Sequence, residues 1–417
     1  MSPRLQREPE HARGAPGAGR KQQGPPSRQG VTTAGDERAA APLVSIIIDN
    51  YNYGRFLATA IESALQQTYT PCEVLVVDDG STDDSRAVIA AAGTRVTAIF
   101  KPNGGQASAF NAGFTQSHGA IVLFLDADDI LLPETVTHVV AAFHAHPSLV
   151  RVQYRMAVVD RHGRPTGRTK PSWDQPLPDG DLGPYVLSAP FDLTWMATSG
   201  NAFATPALRR ILPIPEANFV ILADFYLVHL TSLLGPVKSL DEIGACYRVH
   251  GANQYEPATV GLDLAHLRRT IIYAAPTHTA IKALADELHL AGRPRRAGEL
   301  AAVSLLAARL ISLKLDPAQH PFPRDRVGRI VWRGIRASAR RRDVHLPLKA
   351  VFILWFLVTG PAPRPLARLL GAKFMYPETR PGWHRILAGL HRRRGNHDST
   401  TSTPRTTHAL PVENEAG

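Results

Sequence analysis

Three carboxylates fall within four positions in Phe124-Leu-Asp-Ala-Asp-Asp129, at the end of an apolar run. Carboxylates this close repel one another, which is costly unless a cation or hydrogen-bond donors compensate. Hard oxygen ligands of this kind suit Mg²⁺ or Mn²⁺, ions that in turn bridge a diphosphate. The same residues also fit a plainer role, in which Asp128 or Asp129 caps the helix that follows. A second acidic cluster is Val77-Asp-Asp-Gly-Ser-Thr-Asp83. A carboxylate there can accept from the imide N–H of uracil or from ribose hydroxyls, and Gly80 permits a tight turn; a capped turn fits the segment equally well. The third segment, Asp49-Asn-Tyr-Asn-Tyr-Gly-Arg55, offers the flat face of Tyr51 to a base. A dinucleotide-binding fold would place GxGxxG here, and that pattern occurs nowhere in the chain.

The elements that must position these clusters alternate. Short β-branched runs at Val44-Ser-Ile-Ile-Ile48, Glu73-Val-Leu-Val-Val77, Val96-Thr-Ala-Ile-Phe100 and Ile121-Val-Leu-Phe-Leu125 read as buried strands, with a further strand from Val150 to Val159 ending at the turn Asp160-Arg-His-Gly163. Between them, Phe56, Leu57, Ile61, Ala64 and Leu65 recur at helical spacing, as do Ala107, Phe110 and Phe114. Ser81 or Thr82 is expected to cap the helix after the second strand, and Gly119 to stop the one before the fourth. Pro133 suits the first turn of a helix carrying Val136, Val139, Val140 and Phe143 on one face. This βαβ series predicts a doubly wound, mostly parallel sheet. Ligands bind such sheets beyond the carboxyl ends of the strands, here after Ile48, Val77 and Leu125, where the three polar clusters lie.

The 417 residues are 44% apolar, ample for a sizeable core, and their net charge of +11 favours anionic partners. No nucleic-acid-binding motif accompanies that charge, so nucleic acid is not an expected partner. Cys72 and Cys246 are too few for a disulfide framework and read as structural thiols in a reducing compartment. The N-terminal 40 residues are polar with no apolar signal-peptide core, and Gly14 to Lys21 only faintly resembles a phosphate loop. The expected organisation is a disordered tail over 1–41, a catalytic domain over 42–260, a helical region over 261–390 and a second disordered tail over 391–417. Residues 164–184, rich in Pro, Gly and Asp, are expected to be loop, and Leu300, Ala307, Leu310 and Ile311 to share a helical stripe. Val327, Ile330, Val331 and Gly334 lie on one helical face beside Arg324, Arg326, Arg329, Arg333, Arg336 and Arg340 to Arg342. Such a basic amphipathic helix suits an anionic membrane surface. The apolar run Ala350 to Val358 is too short to span a bilayer; it either joins that surface or packs as a buried helix.

Taken in order, these motifs resemble the family 2 inverting glycosyltransferases of the GT-A fold, over about residues 43–255. The resemblance is carried by Val44 to Asn52, Ile61-Glu-Ser-Ala-Leu-Gln-Gln-Thr-Tyr69, Glu73 to Asp83, Asn103-Gly-Gly with Asn111-Ala-Gly113, and Asp126-Ala-Asp128. Further on it continues in Ser199-Gly-Asn-Ala-Phe203, Ile211-Leu-Pro-Ile-Pro-Glu216, Ala223-Asp-Phe-Tyr-Leu227 and Tyr247-Arg-Val-His-Gly-Ala-Asn253. It implies an α/β fold, a GT-A type doubly wound sheet with a helical C-terminal extension. It implies Asp224 as general base; Asp49, Tyr51, Asp79, Asn111, Asp126 and Asp128 around a nucleotide-sugar; and Asp128 with His250 on a divalent metal, Mg²⁺ or Mn²⁺. Asp126 or Asp129 would contact the ribose, the sugar or the metal's water shell. The donor would be a nucleoside-diphosphate sugar, UDP-sugars first, and the acceptor a glycan, lipid-linked or protein hydroxyl in glycan or cell-surface polysaccharide synthesis. The expected location is cytoplasmic, peripheral at the inner face of the plasma membrane. Two positions depart from the family pattern: Asp49 stands where Pro is frequent, so the local nucleoside contact is expected to differ, and Phe110 where Arg is frequent, so a phosphate or sugar contact is either missing or supplied elsewhere. A nucleotidyltransferase and a degenerate nucleotide-binding scaffold are the competing readings. The first lacks its Gly-rich phosphate loop, and the second does not need the Asp128 and Asp224 that are present.

Overall fold

The computed structural model describes residues 41–173, 175–251, 253, 262–290, 302–341 and 344–375. Both expected tails beyond Ala41, the Gly14–Lys21 segment and Leu300 lie outside the described residues. Four parallel strands form the centre: β1 (Val44–Asn50), β2 (Cys72–Asp78), β3 (Thr97–Phe100) and β4 (Ile121–Asp126). The chain then adds β5 (Ile130–Leu131), β6 (Arg151–Val159), β7 (Pro165–Lys170), β8 (Asn201–Ala204) and β9 (Val237–Arg248). These strands make one sheet in the order β3-β2-β1-β4-β8-β6-β9-β5, with β7 beside β6. β8 is antiparallel to both β4 and β6, while β6 and β9 run parallel. The sheet is therefore parallel across β3-β2-β1-β4 and mixed beyond it.

Strand residues such as Ile46 and Ile48 point to one face, and Ile47 to the other, as the two-residue period of a strand requires. The first face is covered by α1 (Gly54–Leu65), α2 (Ser85–Ala92) and α4 (Thr135–Ala145) through Leu57, Ile61, Ile89, Val136 and Val139. The second is covered by α3 (Gln106–Gln116), α6 (Thr205–Ile211) and α7 (Ala223–Thr231), a short α5 (Gly183–Ser188) lying between α4 and α6 in the chain. Each fully buried Ile or Leu contributes about 1.5–3 kcal/mol, so the two layers hold the strand ends rigidly in place.

Four local expectations change, the first being that Pro133 stands before α4, which starts at Thr135, and not in its first turn. The helix after β2 is held from Asp83, whose Oδ1 accepts from Ser85 N (3.0 Å); Ser81 instead accepts from Asn50 Nδ2 (3.1 Å) and from Asn52 N (2.9 Å). A carboxylate closer to the helix start takes the capping contact, leaving Ser81 to tie the turn to β1. Gly119 does not stop α3, which ends at Gln116. It is small because a Cβ there would stand 2.5 Å from Ser45 Oγ. Residues 164–184 are not all loop: β7 pairs antiparallel with β6 at Met156↔Lys170. Neither cysteine is in a disulfide.

The C-terminal part is helical, as expected: α8 (Leu264–Glu287), α9 (Val303–Leu315), α10 (Val327–Arg340), α11 (Leu346–Thr359) and α12 (Arg364–Met375). α8 joins the second face of the sheet through Ile281 and Leu284. α9 is buried from Leu305 through Ser312. Its N-terminus is fixed by Asp192, which accepts from Val303 N (2.9 Å) and Ser304 N (3.0 Å) and pairs with Arg341. A carboxylate at that end satisfies orphan amides and favours the helix dipole.

Candidate active site

Parallel register sets the site. Asp49 of β1 lies opposite Asp126 of β4, and Asn50 opposite Asp78 of β2, all at the carboxyl edge. Ligand oxygens of Asp126, Asp128 and Asp129 lie within 4.8 Å of one another. The three carboxylates are not equivalent. Asp129 is buried and both its oxygens accept structural hydrogen bonds: Oδ2 from Ser199 Oγ (2.7 Å) and Oδ1 from Arg248 N (3.0 Å). It ties the acidic turn to the end of β9 and does not cap α4. Asp128 Oδ2 accepts from Asn253 Nδ2 (3.2 Å) and lies 2.9 Å from His250 Nε2. The imidazole packs against the rings of Tyr53 and Phe56, with Arg55 Nη2 3.3 Å from Nδ1.

Burial, then the charges of Asp128 and Asp224, push Asp126 up to about 8. Asp49 is raised too, first by burial and then by Asp126 and Asp128, and its Oδ1 is buried without a hydrogen-bond partner. Repelling carboxylates and an orphaned buried oxygen are what a hard divalent cation would neutralise. The donor set fits such an ion.

Beyond the end of β1, Tyr51 is 39% exposed and faces the cleft. Asp79 accepts from Gly105 N (2.7 Å), Gly104 N (3.0 Å) and the Lys101 ammonium. Much of its hydrogen-bonding capacity thus orders the Gly104-Gly105 turn, yet it still lines the cleft. Gly105 has φ +84°, and a Cβ there would meet Val220 O at 2.5 Å, so no other residue fits without moving that backbone.

Asn111 is not brought to this cleft. Its Nδ2 donates to Ile214 O (2.9 Å) and Glu216 Oε1 (3.1 Å), and its Oδ1 accepts from Ile214 N (2.8 Å). It pins the segment leading to α7 and leaves no side-chain group for a donor. Asn111→Ala should therefore lower stability by about 1–3 kcal/mol, the cost of orphaned polar groups. Thermal unfolding together with donor titration checks this: a weakened donor affinity at unchanged stability would restore Asn111 to the site. Phe110 likewise faces the core, stacked on Phe124 at 4.2 Å, so its position does not address the cleft.

Asp224 stands in the first turn of α7, after Leu222, a non-glycine residue at φ 60°. Such a left-handed residue is strained and marks a backbone shaped by its surroundings. Burial raises Asp224 to about 6, against the lowering effect of backbone amides such as Phe225 N. Gln106 connects this helix to the acidic turn: Oε1 accepts from Ala223 N (3.0 Å), and Nε2 donates to Asp126 Oδ1 (3.1 Å). Sequence reasoning missed Gln106; its place directly after Gly104-Gly105 was the available signal. Trp195 and Phe225 add aromatic walls, and Trp195 Nε1 donates to Pro190 O (2.9 Å). Asp49, Tyr51, Asp79, Asp126, Asp128 and Asp224 all line one cleft of about 510 Å³.

A carboxyl-edge cleft with acidic clusters on a mostly parallel sheet is where folds of this kind bind their ligands. Residues 45–184 match Glycosyl transferase family 2. An uncharacterized glycosyltransferase of Nostoc sp. is 37% identical over 219 residues, 52% of this chain and 67% of that protein. A chondroitin synthase of Escherichia coli is 38% identical over 125 residues, 29% of this chain and 18% of that protein. Among solved structures, S. aureus TarS aligns over 80% of this chain and 55% of its own at TM-score 0.45 and 15% identity. The mannosyltransferase PcManGT from Pyrobaculum calidifontis, in complex with GDP-Man and Mn²⁺, aligns over 86% of this chain and 89% of its own at TM-score 0.40 and 16% identity. The chain belongs to glycosyltransferase family 2 and has the GT-A fold. That membership sets aside the nucleotidyltransferase reading.

Proposed function

We propose that this glycosyltransferase moves a sugar from a nucleoside-diphosphate donor to an acceptor hydroxyl in a single inverting displacement. The carrying observation is the place of Asp224, in the first turn of α7 and lining the same cleft as Asp49, Asp126 and Asp128; burial also raises it to about 6. A base works best with a pKa near the operating pH. Asp224 removes the acceptor proton as the hydroxyl attacks opposite the leaving group. Gln106 holds the base-bearing helix and Asp126 in one frame, and the aromatic walls of Trp195 and Phe225 help exclude water from the acceptor side. Tyr51 offers its face to the base, while Asp79 and the turn it orders bound the ribose side. Asp128 and His250, with Asp126 beside them, would hold Mg²⁺ or Mn²⁺, which when bound supplies charge compensation for the diphosphate leaving group. Asp129 supports that turn from behind. Asp49, in place of a Pro, adds a carboxyl to the same wall.

UDP-sugars are the first donors of choice, since the acidic turn after β2 suits a nucleoside and Tyr51 offers its face to a flat base. The likeness to a chondroitin synthase supports a glycan acceptor in polysaccharide synthesis. A panel of UDP-, GDP- and dTDP-sugars, scored by release of nucleotide in the presence of Mn²⁺ or Mg²⁺, tests the reading. One donor class should release nucleotide faster than the others. No release from any donor, with or without glycan acceptors, would remove the transferase reading in favour of a nucleotide-binding scaffold.

A further inference from the structure

The apolar helix α11 is packed along one side only. Phe356 is fully buried, and its ring lies so near Gly334 of α10 that a Cβ there would stand 2.4 Å away. On the other side Leu346, Val351, Leu354, Leu357 and Val358 recur at helical spacing and are all exposed, Leu354 at 60% and Leu346 at 78%. The next helix repeats the pattern: Ala367 and Gly371 turn inward, Gly371 against Ile311 of α9, while Leu366 and Leu369 are exposed. Trp332 on α10 is 59% exposed. Covering these side chains would take apolar surface out of water, so the sheltering of this face is a favourable drive. Exposed apolar faces rimmed by charge mark interaction or membrane sites.

Charge selects the occupant. Residues 302–341 and 344–375 carry thirteen arginines and lysines against two aspartates. Both aspartates are already paired, Asp325 with Arg309 and Asp316 with Arg268. Arg329 and Arg336 on α10 and Arg364 and Arg368 on α12 are exposed. A second copy of the chain meeting this face would bring two arginine-rich rims together, which like charges oppose. An anionic lipid surface offers both an apolar interior for the leucines and phosphates for the arginines. Among the described residues no helix is long and apolar enough to cross a membrane. The 14 residues of α11 suit lying in the interface, not spanning it.

We propose that the exposed face of α11 and α12, with its arginine rim, docks this chain on an anionic bilayer. The idea rests on and deepens the transferase reading, since it would bring the cleft within reach of acceptors carried by an anionic membrane surface. The test is flotation of the full chain with vesicles of phosphatidylcholine alone or with roughly 40% phosphatidylglycerol, at low and high salt. The chain should float with the anionic vesicles, release partly at high salt as charges are screened, and stay behind with neutral ones. The double variant Leu354→Glu, Leu357→Glu, at exposed positions that do not hold the fold, should reduce the bound fraction about tenfold or more. Matching circular dichroism and unchanged nucleotide release in vesicle-free buffer establish that the variant is folded. No binding to anionic vesicles, equal binding to neutral ones, or equal binding by the variant overturns the proposal. A dimer in light scattering that the double variant dissolves, without vesicle binding, assigns the face to a second copy instead. Flotation is read without donor, so its failure leaves the transferase reading intact, and absent nucleotide release leaves the docking result intact.

Discussion

Asp224→Asn is expected to lower turnover by roughly 10²-fold or more, the scale of general-base loss, while donor affinity stays nearly unchanged. The amide keeps the shape of the side chain and can still accept from Phe225 N, the contact Asp224 Oδ1 makes at 2.8 Å. What it loses is the capacity to take a proton. The pH profile sharpens the test. Burial raises Asp224 to about 6, so below that pH the carboxyl is protonated and cannot serve as base. Activity of the parent chain should therefore rise with pH along an acid limb centred near 6, about tenfold per unit below the midpoint, and then level off. In the variant that limb should disappear from the residual rate. Calorimetric donor titration and steady-state rates across pH measure both effects. Equal turnover, or an unchanged acid limb in the variant, would show that another group carries the proton.

Asp128→Asn has the second large expected effect. Its carboxylate sits beside His250 and Asn253 at the open edge of the acidic turn. Removing one negative ligand should weaken Mn²⁺ binding and lower turnover by roughly 10²–10³-fold at fixed metal, with partial recovery at higher metal concentration. Asp129→Asn should behave differently. Its oxygens hold Ser199 and the backbone of Arg248, so its loss should appear as a lower unfolding temperature before any change in metal dependence. Titration of the parent and both variants with Mn²⁺, read by calorimetry and by thermal unfolding, separates the roles. A parent chain fully active in excess chelator, or an Asp128 variant with unaltered metal response, would contradict the assignment.

Much of the architecture was legible because it rests on short-range pattern. The β-branched runs from Val44, Glu73 and Ile121 could only be buried strands between amphipathic helices, and a parallel sheet then forces their polar ends to one edge. Asp49, Asp79 and Asp126 converge for that reason. What escaped the sequence depends on contacts between distant segments. The partner of Asn111 is Ile214, and nothing local says that its amide faces that backbone and not the cleft. Gln106 looks like an ordinary helix-start residue until Ala223 and Asp126 are both beside it. Ser81 and Asp83 compete for the same cap within three residues, a choice decided by which one the turn aims at Ser85 N. For α11, periodicity shows an apolar surface on every side but not which side its neighbours cover; only packing against Gly334 reveals that one face is left over.

The central claim is attack on the anomeric carbon from the side opposite the nucleotide, with Asp224 taking the proton. It is tested most directly by proton NMR of the first-formed product, recorded before mutarotation, from an α-linked UDP-sugar or whichever donor the panel selects, with metal present. Water can serve as acceptor if no glycan does. The account predicts a first-formed product with the anomeric configuration opposite to the donor's, β from an α-linked sugar; a first product that keeps the donor's configuration would contradict single displacement and with it the role given to Asp224.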